Sequence, residues 1–427
     1  MPDSANALPR HVPVLIVGGG QGGLSLSFLL QQQGIDHLIL EKNRIAHAWR
    51  AERWDSFCLV TPNRQCVLPG FSYAGEYGGK DPHGFMLRDE IVAFLETYAR
   101  RVNPPVREGV AVTRVAPREG GGYAVQTSAG AMTADKVIIA ISGYHTPIVP
   151  RVGAALPASL PQLHSLEYRN PQDLPEGGVL VVGSGQSGCQ IAEDLMLAGR
   201  QVHLAVGDAP RAPRVYRGRD STDWLEEMGH YDMPIAEHPS SEKVRQNENH
   251  YLTGRDGGRE IDLRAFALRG MKLYGMLDGV DGQTIRFRQD LTQHLDAADA
   301  TYLRIRKTID DYIEREGINA PQAEPYVPCW APKSDPETLD LEAQGIGSVI
   351  WCTGFRMDFS FIDAPVFDGR GYPGHDRGIA THDGLYFIGL PWLHTWGSGR
   401  FAGVARDAAH IVDHIAAALA PREQAMA

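Results

Sequence analysis

Apolar residues in this chain form short runs separated by glycine, and the first run lies close to the N-terminus. Residues 12–17 are apolar throughout, which predicts a buried strand, and the stretch GGGQGG follows at once. The next residues, LSLSFLLQQQ, place apolar positions at helical spacing until Gly34, and His37 to Leu40 predict a second strand that ends in Glu41. The pattern therefore predicts a strand, a glycine loop, a helix, a strand and an acidic residue.

This order of elements is typical of a dinucleotide-binding fold. Gly18 would make the tight turn, Gly20 would let the backbone approach a pyrophosphate, and Gly23 would let the helix pack close to the strand. The helix N-terminus offers amide donors and partial positive charge to phosphate, and Glu41 can accept hydrogen bonds from an adenosine ribose. The alternative is a glycine-rich turn that only packs. The candidate contacts to a first dinucleotide are Gly18, Gly20, Gln21, Gly22, Gly23, Glu41 and Lys42.

A second glycine loop repeats the pattern 165 residues further along the chain. The position that corresponds to Glu41 is Val206, and arginines lie just beyond it. A missing acid with nearby arginines favours a 2′-phosphate, and hence NADPH, although Asp208 is close and the arginines could instead pair with acids on a surface loop. Two such folds in one chain predict two dinucleotides, FAD in the first and NADPH in the second. The candidate contacts to the second are Gly183, Ser184, Gly185, Gln186, Ser187, Gly188, Arg211 and Arg214.

The remaining pattern predicts an α/β protein in which one Rossmann-like dinucleotide-binding domain is inserted into another. Residues 109–141 alternate as a small β-meander, and buried strands near 347–351 and 385–389 precede a final helix near 402–419. We expect an FAD-binding domain of residues 1–160 and 336–427 and an NADPH-binding domain of residues 161–335. An extra helical insertion at about 230–330 would contain a hairpin at 271–287 and a charged, solvated helix at about 290–316.

Composition narrows the class of protein further. The 427 residues carry a net charge of −11, which argues against a nucleic-acid partner. No apolar run approaches the roughly 18 residues of a membrane span, and the N-terminus lacks the layout of a signal peptide. Five scattered cysteines without a C-x-x-C pair predict reduced thiols in a cytoplasmic protein and argue against a disulfide reductase. The histidine spacing predicts no metal site.

Several segments together resemble the flavin-containing monooxygenase family, more closely its bacterial flavoprotein monooxygenases. The resemblance covers nearly the whole chain. The chain departs from the pattern of the family's Baeyer–Villiger branch, because Ala158 and Leu160 stand where that branch has phenylalanine and glycine before His164. The segments that carry the resemblance are GGGQGGLS with LILEK, WR at 49–50, RWDS at 53–56, TPN at 61–63, QLHSLEYRNP at 162–171, PRVYRGRD at 213–220, WCTGFRMDFSFI at 351–362 and GLYFIGLPWLHTWGSGRFAGVARDA at 384–408.

The resemblance implies a monooxygenase cycle on FAD. NADPH would reduce the flavin, and the reduced flavin would take up O2 as a C4a-hydroperoxide that oxygenates a small molecule, with nitrogen or sulfur as the first choice. The alternative is an NAD(P)H-dependent flavin oxidoreductase that passes electrons to a partner without oxygen insertion. The implied partners are a small-molecule substrate and molecular oxygen, with a possible homodimer.

The resemblance also implies roles for individual residues. Asn63 would face the flavin, although asparagine after proline is also common in ordinary turns. Asp55 would buffer a proton near the flavin, although it could instead cap a helix or pair with Arg53. The amides of the WGSG stretch would point at the flavin N1–C2=O edge, and Trp49 would cover the flavin. We expect His164 to be a satisfied loop histidine. The candidate catalytic residues are thus Asn63 and Asp55, and the further cofactor contacts are Trp49, Arg50, Thr61, Thr353, Gly354, Trp396, Gly397 and Ser398.

Overall fold

The computed structural model describes residues 8–246 and 249–420 and consists mainly of two parallel sheets flanked by helices. In chain order the longer strands are β1 (His11–Val17), β2 (His37–Glu41), β3 (Val106–Glu108), β4 (Val112–Pro117), β5 (Tyr123–Thr127), β6 (Gly130–Ile139), β7 (Gln162–His164), β8 (Gly178–Val182), β9 (Val202–Ala205), β10 (Lys272–Tyr274), β11 (Leu277–Asp281), β12 (Thr284–Phe287), β13 (Thr338–Asp340), β14 (Ile346–Trp351) and β15 (Leu385–Phe387). Two-residue strands lie at Val67–Leu68, Phe71–Ser72, Thr146–Pro147, Val215–Tyr216, Arg219–Asp220, Phe355–Arg356, His375–Asp376 and Ile379–Ala380.

α-Helices pack on one face of each main sheet, and the other face is covered by the β4–β6 meander in the first domain and by β12 and β13 in the second. The α-helices are α1 (Gln21–Gln32), α2 (His47–Ala51), α3 (Arg88–Val102), α4 (Gln186–Leu197), α5 (Ser221–Glu227), α6 (Leu263–Leu268), α7 (Leu291–Glu316) and α8 (Phe401–Leu419), with one further helical turn at Arg255–Gly258. Turns of 3₁₀-helix lie at Asn63–Gln65, Arg151–Ala155, Pro171–Asp173, Ile235–Glu237, Ser241–Gln246 and Trp396–Gly399. Among the described residues, none of the helices is long and apolar enough to cross a lipid bilayer.

The first sheet has the strand order β15-β6-β1-β2-β3, and these strands are parallel. Its centre is apolar on both faces because both faces are covered, and Ile16 pairs with Ile39 on one side and Ile138 on the other. The predicted meander is confirmed: β4, β5 and β6 are antiparallel neighbours. Helices α1 and α8 contribute Leu24 and Val404 to the same core.

The second sheet is wholly parallel, with the strand order β7-β14-β8-β9-β10. Every residue of β8 is buried, and Val181 pairs with Leu204 and Ile350. The predicted insertion of one dinucleotide-binding domain into another is therefore confirmed at the level of topology.

The predicted boundary at residue 336 is wrong. Strand β14 lies between β7 and β8 in the second sheet, so the chain returns to the first domain only after Trp351. Phe359 and Ile362 then pack in the core of the first sheet. A short apolar run fits the centre of either sheet equally well, so its sequence does not indicate which sheet it joins.

The insertion also differs in part from its prediction. Residues 272–274 form β10 of the second sheet, and only β11 and β12 form the hairpin, to which β13 adds a third strand. Helix α7 has the predicted length but is not simply solvated. Leu291 and Leu295 pack in the core of the second domain, and Ile309 packs against Trp224 near the other end of the helix.

Candidate active site

The first glycine loop connects the carboxyl end of β1 to the start of α1. A Cβ atom on Gly23 would lie 2.0 Å from the carbonyl oxygen of Gly18, so only glycine lets the helix pack this close to the loop. Gly20 differs, because a Cβ atom there would meet nothing within 4 Å. Gly20 is also the N-cap of α1, and no side chain caps the helix. The loop thus leaves an open space beside unpaired amide donors, which fits a pyrophosphate.

Glu41 lies beside this loop at the end of β2. One carboxylate oxygen accepts from the amide of Gly19 at 2.7 Å, and the other accepts from the amide of Asn43 at 2.8 Å. These two bonds hold the carboxylate at the loop, where its remaining lone pairs can accept from ribose hydroxyls. Lys42 is exposed to solvent beside it.

The WGSG stretch forms a 3₁₀ turn that leads directly into α8. Gln21 donates to the carbonyl oxygen of Gly399 at 3.3 Å, which joins this turn to the first glycine loop. Ser398 is fully buried, and its hydroxyl oxygen accepts from the amide of Thr395 at 3.0 Å, so its side chain stabilises the turn itself. Gly397 packs against Gly403, where a Cβ atom would meet backbone at 3.0 Å. No side chain caps α8, so the first amides of the helix lack a side-chain acceptor.

The two tryptophans predicted to contact cofactor are packed against neighbouring side chains. Tyr231 stacks on Trp396 with 4.3 Å between ring centroids, and the guanidinium carbon of Arg400 lies 3.8 Å from the same centroid. Because both groups are this close to one ring, they occupy opposite faces of it. Trp49 stacks on Phe401 at 5.8 Å. These contacts assign both tryptophan rings to the wall of the site, and the role of Trp49 as a cover over the flavin stays a prediction.

The second glycine loop has the same construction as the first. A Cβ atom on Gly188 would lie 1.8 Å from the carbonyl oxygen of Gly183. Gly185 is the N-cap of α4, again without a side-chain cap, and partly buried Ser187 lies in the first turn of that helix. The Ser184 hydroxyl accepts from the amide of Gly207 at 3.0 Å and ties the loop to the end of β9.

Residues 249–262, here called the bridging segment, connect the two halves of the site. The Asn249 side-chain oxygen accepts from Arg400 at 2.8 Å, beside the start of α8. The backbone of Leu252 donates to and accepts from the Gln186 side chain in the second glycine loop. Arg255 donates to Ser56 at 2.8 Å in the first domain and to Asp194 of α4 at 2.6 Å in the second. Sequence reasoning assigned no such role to this segment.

The two arginines that the sequence assigned to a 2′-phosphate form ion pairs with carboxylates of the protein instead. Arg211 is 3% exposed and forms ion pairs with Glu260, Asp262 at 3.0 Å and Asp299 at 2.8 Å. Those carboxylates belong to the bridging segment and α7, so Arg211 joins parts of the second domain. Its assignment to phosphate is corrected.

Arg214 is buried as well and serves a structural role. It pairs with Asp220 at 2.6 Å, donates to the carbonyl oxygen of Val60 at 2.7 Å and lies 4.1 Å from the centroid of the Phe85 ring. Burial lowers the pKa of its guanidinium, and Asp220 partly offsets the effect. Its assignment to phosphate is corrected for the same reason.

The two predicted catalytic residues are also structural. Asn63 is 3% exposed; its side-chain nitrogen donates to the carbonyl oxygen of Asp81 at 2.9 Å, and its oxygen accepts from the amide of Met86 at 2.7 Å. Asp55 is exposed, pairs with Arg88 and accepts from Asn170 at 2.9 Å. The hydrogen bond from Asn170 and the charge of Arg88 lower the pKa of Asp55, so it stays ionised and is a poor proton donor.

Three of the other residues predicted to contact a cofactor form hydrogen bonds within the protein. Arg50 donates to Glu96 at 2.6 Å, and Thr61 is partly buried beside Asn63. The Thr353 hydroxyl donates to the carbonyl oxygen of Ile148, and the amide of Ile148 donates to the carbonyl oxygen of Gly354 at 3.0 Å. Thr353 and Gly354 thus secure the crossing between the two domains.

His164 lies at that crossing and is a satisfied histidine, as expected. One ring nitrogen lies 3.1 Å from the carbonyl oxygen of Gly354 and the other accepts from the amide of Leu166 at 3.2 Å. Burial lowers the pKa of the ring, so it is neutral at pH 7.

Replacement of Asn63 by alanine is expected to lower stability and to leave catalysis nearly intact. The change leaves the backbone amide of Met86 and the carbonyl oxygen of Asp81 without their hydrogen-bond partner, which costs about 1–3 kcal/mol in the free energy of unfolding. Turnover of the FAD-loaded variant should stay within about twofold of wild type, because no transition-state contact is removed. Urea denaturation and NADPH oxidation measure the two effects. Asp55→Asn is the control, with a stability loss of about 0–1 kcal/mol. A large loss of turnover in a stable Asn63→Ala protein would restore the catalytic role.

The fold and the two loops define a class of protein, an oxidoreductase with two dinucleotide-binding domains. Residues 15–272 match the model of the family described as pyridine nucleotide-disulphide oxidoreductase. The chain is 30% identical to an uncharacterized oxidoreductase called CzcO-like from Geobacillus kaustophilus (strain HTA426), over 95% of this chain and 98% of the relative. It is also 30% identical to the indole-3-pyruvate monooxygenase YUCCA4 of Oryza sativa subsp. japonica, over 45% of this chain and 47% of the relative.

A solved structure shares the fold over almost the full length. It is a flavin-containing monooxygenase from Stenotrophomonas maltophilia, with a TM-score of 0.65 and 21% identity, covering 96% of this chain and 99% of that one. The chain belongs to the pyridine nucleotide-disulphide oxidoreductase family. It is a flavin-dependent oxidoreductase related to the flavin monooxygenases, and its cofactors are FAD and NADPH.

The two loops fit those cofactors. The open space at Gly20 and the carboxylate of Glu41 suit the pyrophosphate and ribose of FAD, and the uncapped start of α4 suits the pyrophosphate of NADPH. Sequence reasoning missed Arg255, which contacts both domains from the bridging segment, and the charged stretch RDGGRE at 255–260 is the signal that could have found it.

Proposed function

We propose that the protein is an NADPH- and O2-dependent monooxygenase that oxygenates a nitrogen or sulfur atom of a small molecule. The observation that carries the proposal is the junction of the first glycine loop with the start of α8, through Gln21 and Gly399. This junction brings the start of a helix next to the first glycine loop, where we infer that the pyrophosphate of FAD binds. FAD, when bound, supplies the hydride acceptor and the site of oxygen activation.

The chain's own residues would stabilise charge and exclude water at this place. The free amides at the start of α8 would donate to the pyrimidine edge of the flavin, where negative charge develops on reduction. The stacked rings of Trp49 and Phe401, and of Tyr231 and Trp396, form apolar walls beside it. Such walls limit the access of water to a reactive oxygen species.

The cysteines support oxygenation over disulfide reduction. All five lie in the described part of the chain, and none of them forms a disulfide. Burial raises the pKa of the Cys58 and Cys66 thiols to about 12 and also raises the pKa of the Cys189 and Cys352 thiols, whereas for the exposed Cys329 partial desolvation raises the pKa. A thiol with a raised pKa is protonated at neutral pH and is a poor nucleophile toward a disulfide or a flavin.

Oxygen labelling tests the proposal directly. Purified FAD-loaded protein is incubated with NADPH, ¹⁸O2 and a panel of small amines and thioethers, and the products are analysed by mass spectrometry. We expect substrate-stimulated NADPH oxidation and one labelled oxygen atom in the product. NADPH-dependent reduction of an artificial acceptor without oxygen, together with unlabelled products from every amine and thioether, would instead identify an electron-transfer oxidoreductase.

A further inference from the structure

One carboxylate of α4 accepts hydrogen bonds from both domains. Asp194 is buried, and one of its oxygens accepts from the Ser56 hydroxyl at 2.6 Å and from Arg255 at 2.6 Å. Its other oxygen accepts from the Tyr168 hydroxyl at 2.7 Å. The Ser56 hydroxyl oxygen also accepts from Arg255 at 2.8 Å, so three side chains bond one another in a closed triangle. Ser56, Asp194 and Arg255 are here called the Asp194 network.

The Asp194 network lies between the two cofactor sites. Asp194 belongs to α4, whose uncapped start suits the pyrophosphate of NADPH. Ser56 belongs to the first domain and directly precedes Phe57, whose ring centroid lies 5.9 Å from that of Trp49 in the wall of the flavin site. The network therefore joins the helix suited to one cofactor to the chain segment beside the site of the other.

Backbone packing beside the network brings the two domains close together. Gly254 directly precedes Arg255, and a Cβ atom there would lie 1.9 Å from the carbonyl oxygen of Leu59 and 2.7 Å from the Cβ atom of Phe85 in the first domain. A Cβ atom on Gly258 would likewise lie 2.8 Å from the Phe85 ring. A larger residue at position 254 would have to move the bridging segment away from the first domain.

The chain itself connects the domains only at their crossings, one between β6 and β7 and one after β14. Such crossings can act as a hinge about which two domains rotate. A rotation that separated Asp194 from Ser56 and Arg255 would leave a buried carboxylate without most of its donors, which is strongly unfavourable. The Asp194 network therefore opposes such a rotation.

We propose that Ser56, Asp194 and Arg255 are positioning residues that fix the distance between the nicotinamide of NADPH and the flavin. Reduction moves one hydride, with its two electrons, from NADPH to FAD, so NADP+ and reduced flavin form and no further reactant is needed. A misplacement of about 1 Å can slow such a step by about a hundredfold. The inference rests on the proposed function only for flavin reduction by NADPH and does not depend on oxygen insertion.

Anaerobic stopped-flow reduction of the FAD-loaded protein by NADPH separates positioning from binding. Arg255→Met and Asp194→Asn should each lower the limiting rate of flavin reduction about tenfold or more, while the dissociation constant of NADPH changes by less than about threefold. Gly254→Ala should act in the same way by displacing the bridging segment, with the whole network retained. Arg217→Met, which breaks a partly buried ion pair with Asp310 inside the second domain, is the matched control and should be reduced at the wild-type rate.

A spectroscopic measurement reports the same geometry without turnover. The analogue 1,4,5,6-tetrahydro-NADP cannot reduce the flavin, and its ring gives a long-wavelength charge-transfer band when it stacks on oxidised flavin. At saturating analogue we expect this band in wild type and in Arg217→Met. Most of its intensity should be lost in Arg255→Met, Asp194→Asn and Gly254→Ala, and the FAD content of these proteins should be retained.

The remaining outcomes overturn the inference. Variants that lose thermal stability but keep the wild-type limiting rate and charge-transfer band would show that the Asp194 network is only structural. Weaker NADPH binding with an unchanged limiting rate, or a wild type that gives no band, would also refute positioning. A wild-type flavin that NADPH does not reduce would overturn the inference and the proposed function together. The expected rates and bands without labelled oxygen in any product would refute the proposed function alone.

Discussion

Replacement of Gly20 by valine is expected to give a folded protein that purifies without FAD. A Cβ atom at Gly20 meets nothing within 4 Å, and the φ of −80° is accessible to any residue, so the change should alter stability by less than about 1 kcal/mol. The added side chain fills the space into which the pyrophosphate must fit, and the cofactor then cannot reach the amides of the loop. Visible flavin absorbance and thermal unfolding of the purified protein measure the two effects.

Two other glycines serve as matched controls. Gly34→Ala adds a methyl group in open space at a positive φ of 65°, and should cost about 1 kcal/mol while the protein stays yellow. Gly23→Ala places Cβ 2.0 Å from backbone and should impair folding itself. A fully yellow Gly20→Val protein would show that the first loop does not hold the FAD pyrophosphate.

Replacement of Arg211 by methionine is expected to lower stability at pH 7 by about 3–5 kcal/mol, because it leaves several carboxylates without their buried cation. Burial alone would lower the pKa of Arg211, but the charges of Asp262 and Glu260 outweigh burial and raise it. The unpaired carboxylates of the variant should have raised pKa values in the folded state. They then take up protons as the pH falls, so the stability difference from wild type should narrow toward acidic pH.

Urea denaturation at several pH values, with NADPH and NADH titrations, decides the role of Arg211. The affinities for the two nucleotides should change by the same factor, since Arg211 is 3% exposed and its donors face carboxylates. Arg114→Met, which breaks an exposed pair with Asp363, is the control and should cost about 0–1 kcal/mol. A stable Arg211→Met protein that loses NADPH affinity alone would reinstate the 2′-phosphate assignment.

The elements that depend on local pattern agree closely with the sequence predictions. Strand β1, helix α1 and strand β2 lie within a few residues of their predicted positions, and both glycine loops connect a strand to a helix. Hydrophobic period and glycine position are properties of a short segment, and the close contacts at Gly23 and Gly188 follow from them.

The assignments that failed concern polar side chains with distant partners. The buried side-chain amide of Asn63 forms hydrogen bonds with the 81–86 loop, and Arg211 forms ion pairs with acids that are 49, 51 and 88 residues away in the chain. An arginine near a nucleotide loop can bind a phosphate or a carboxylate equally well, and its chemistry is the same in both cases. Only the positions of Glu260, Asp262 and Asp299 decide between them.

The sequence by itself therefore determined the class of the protein, its two dinucleotide loops and the insertion of one domain into the other. The tertiary structure decided that β14 belongs to the second sheet, that residues 249–262 join the two domains, and which arginines are neutralised. The physical reason is that backbone geometry follows from neighbouring residues, whereas the partner of a charged or hydrogen-bonding side chain is set by chain segments that meet only on folding.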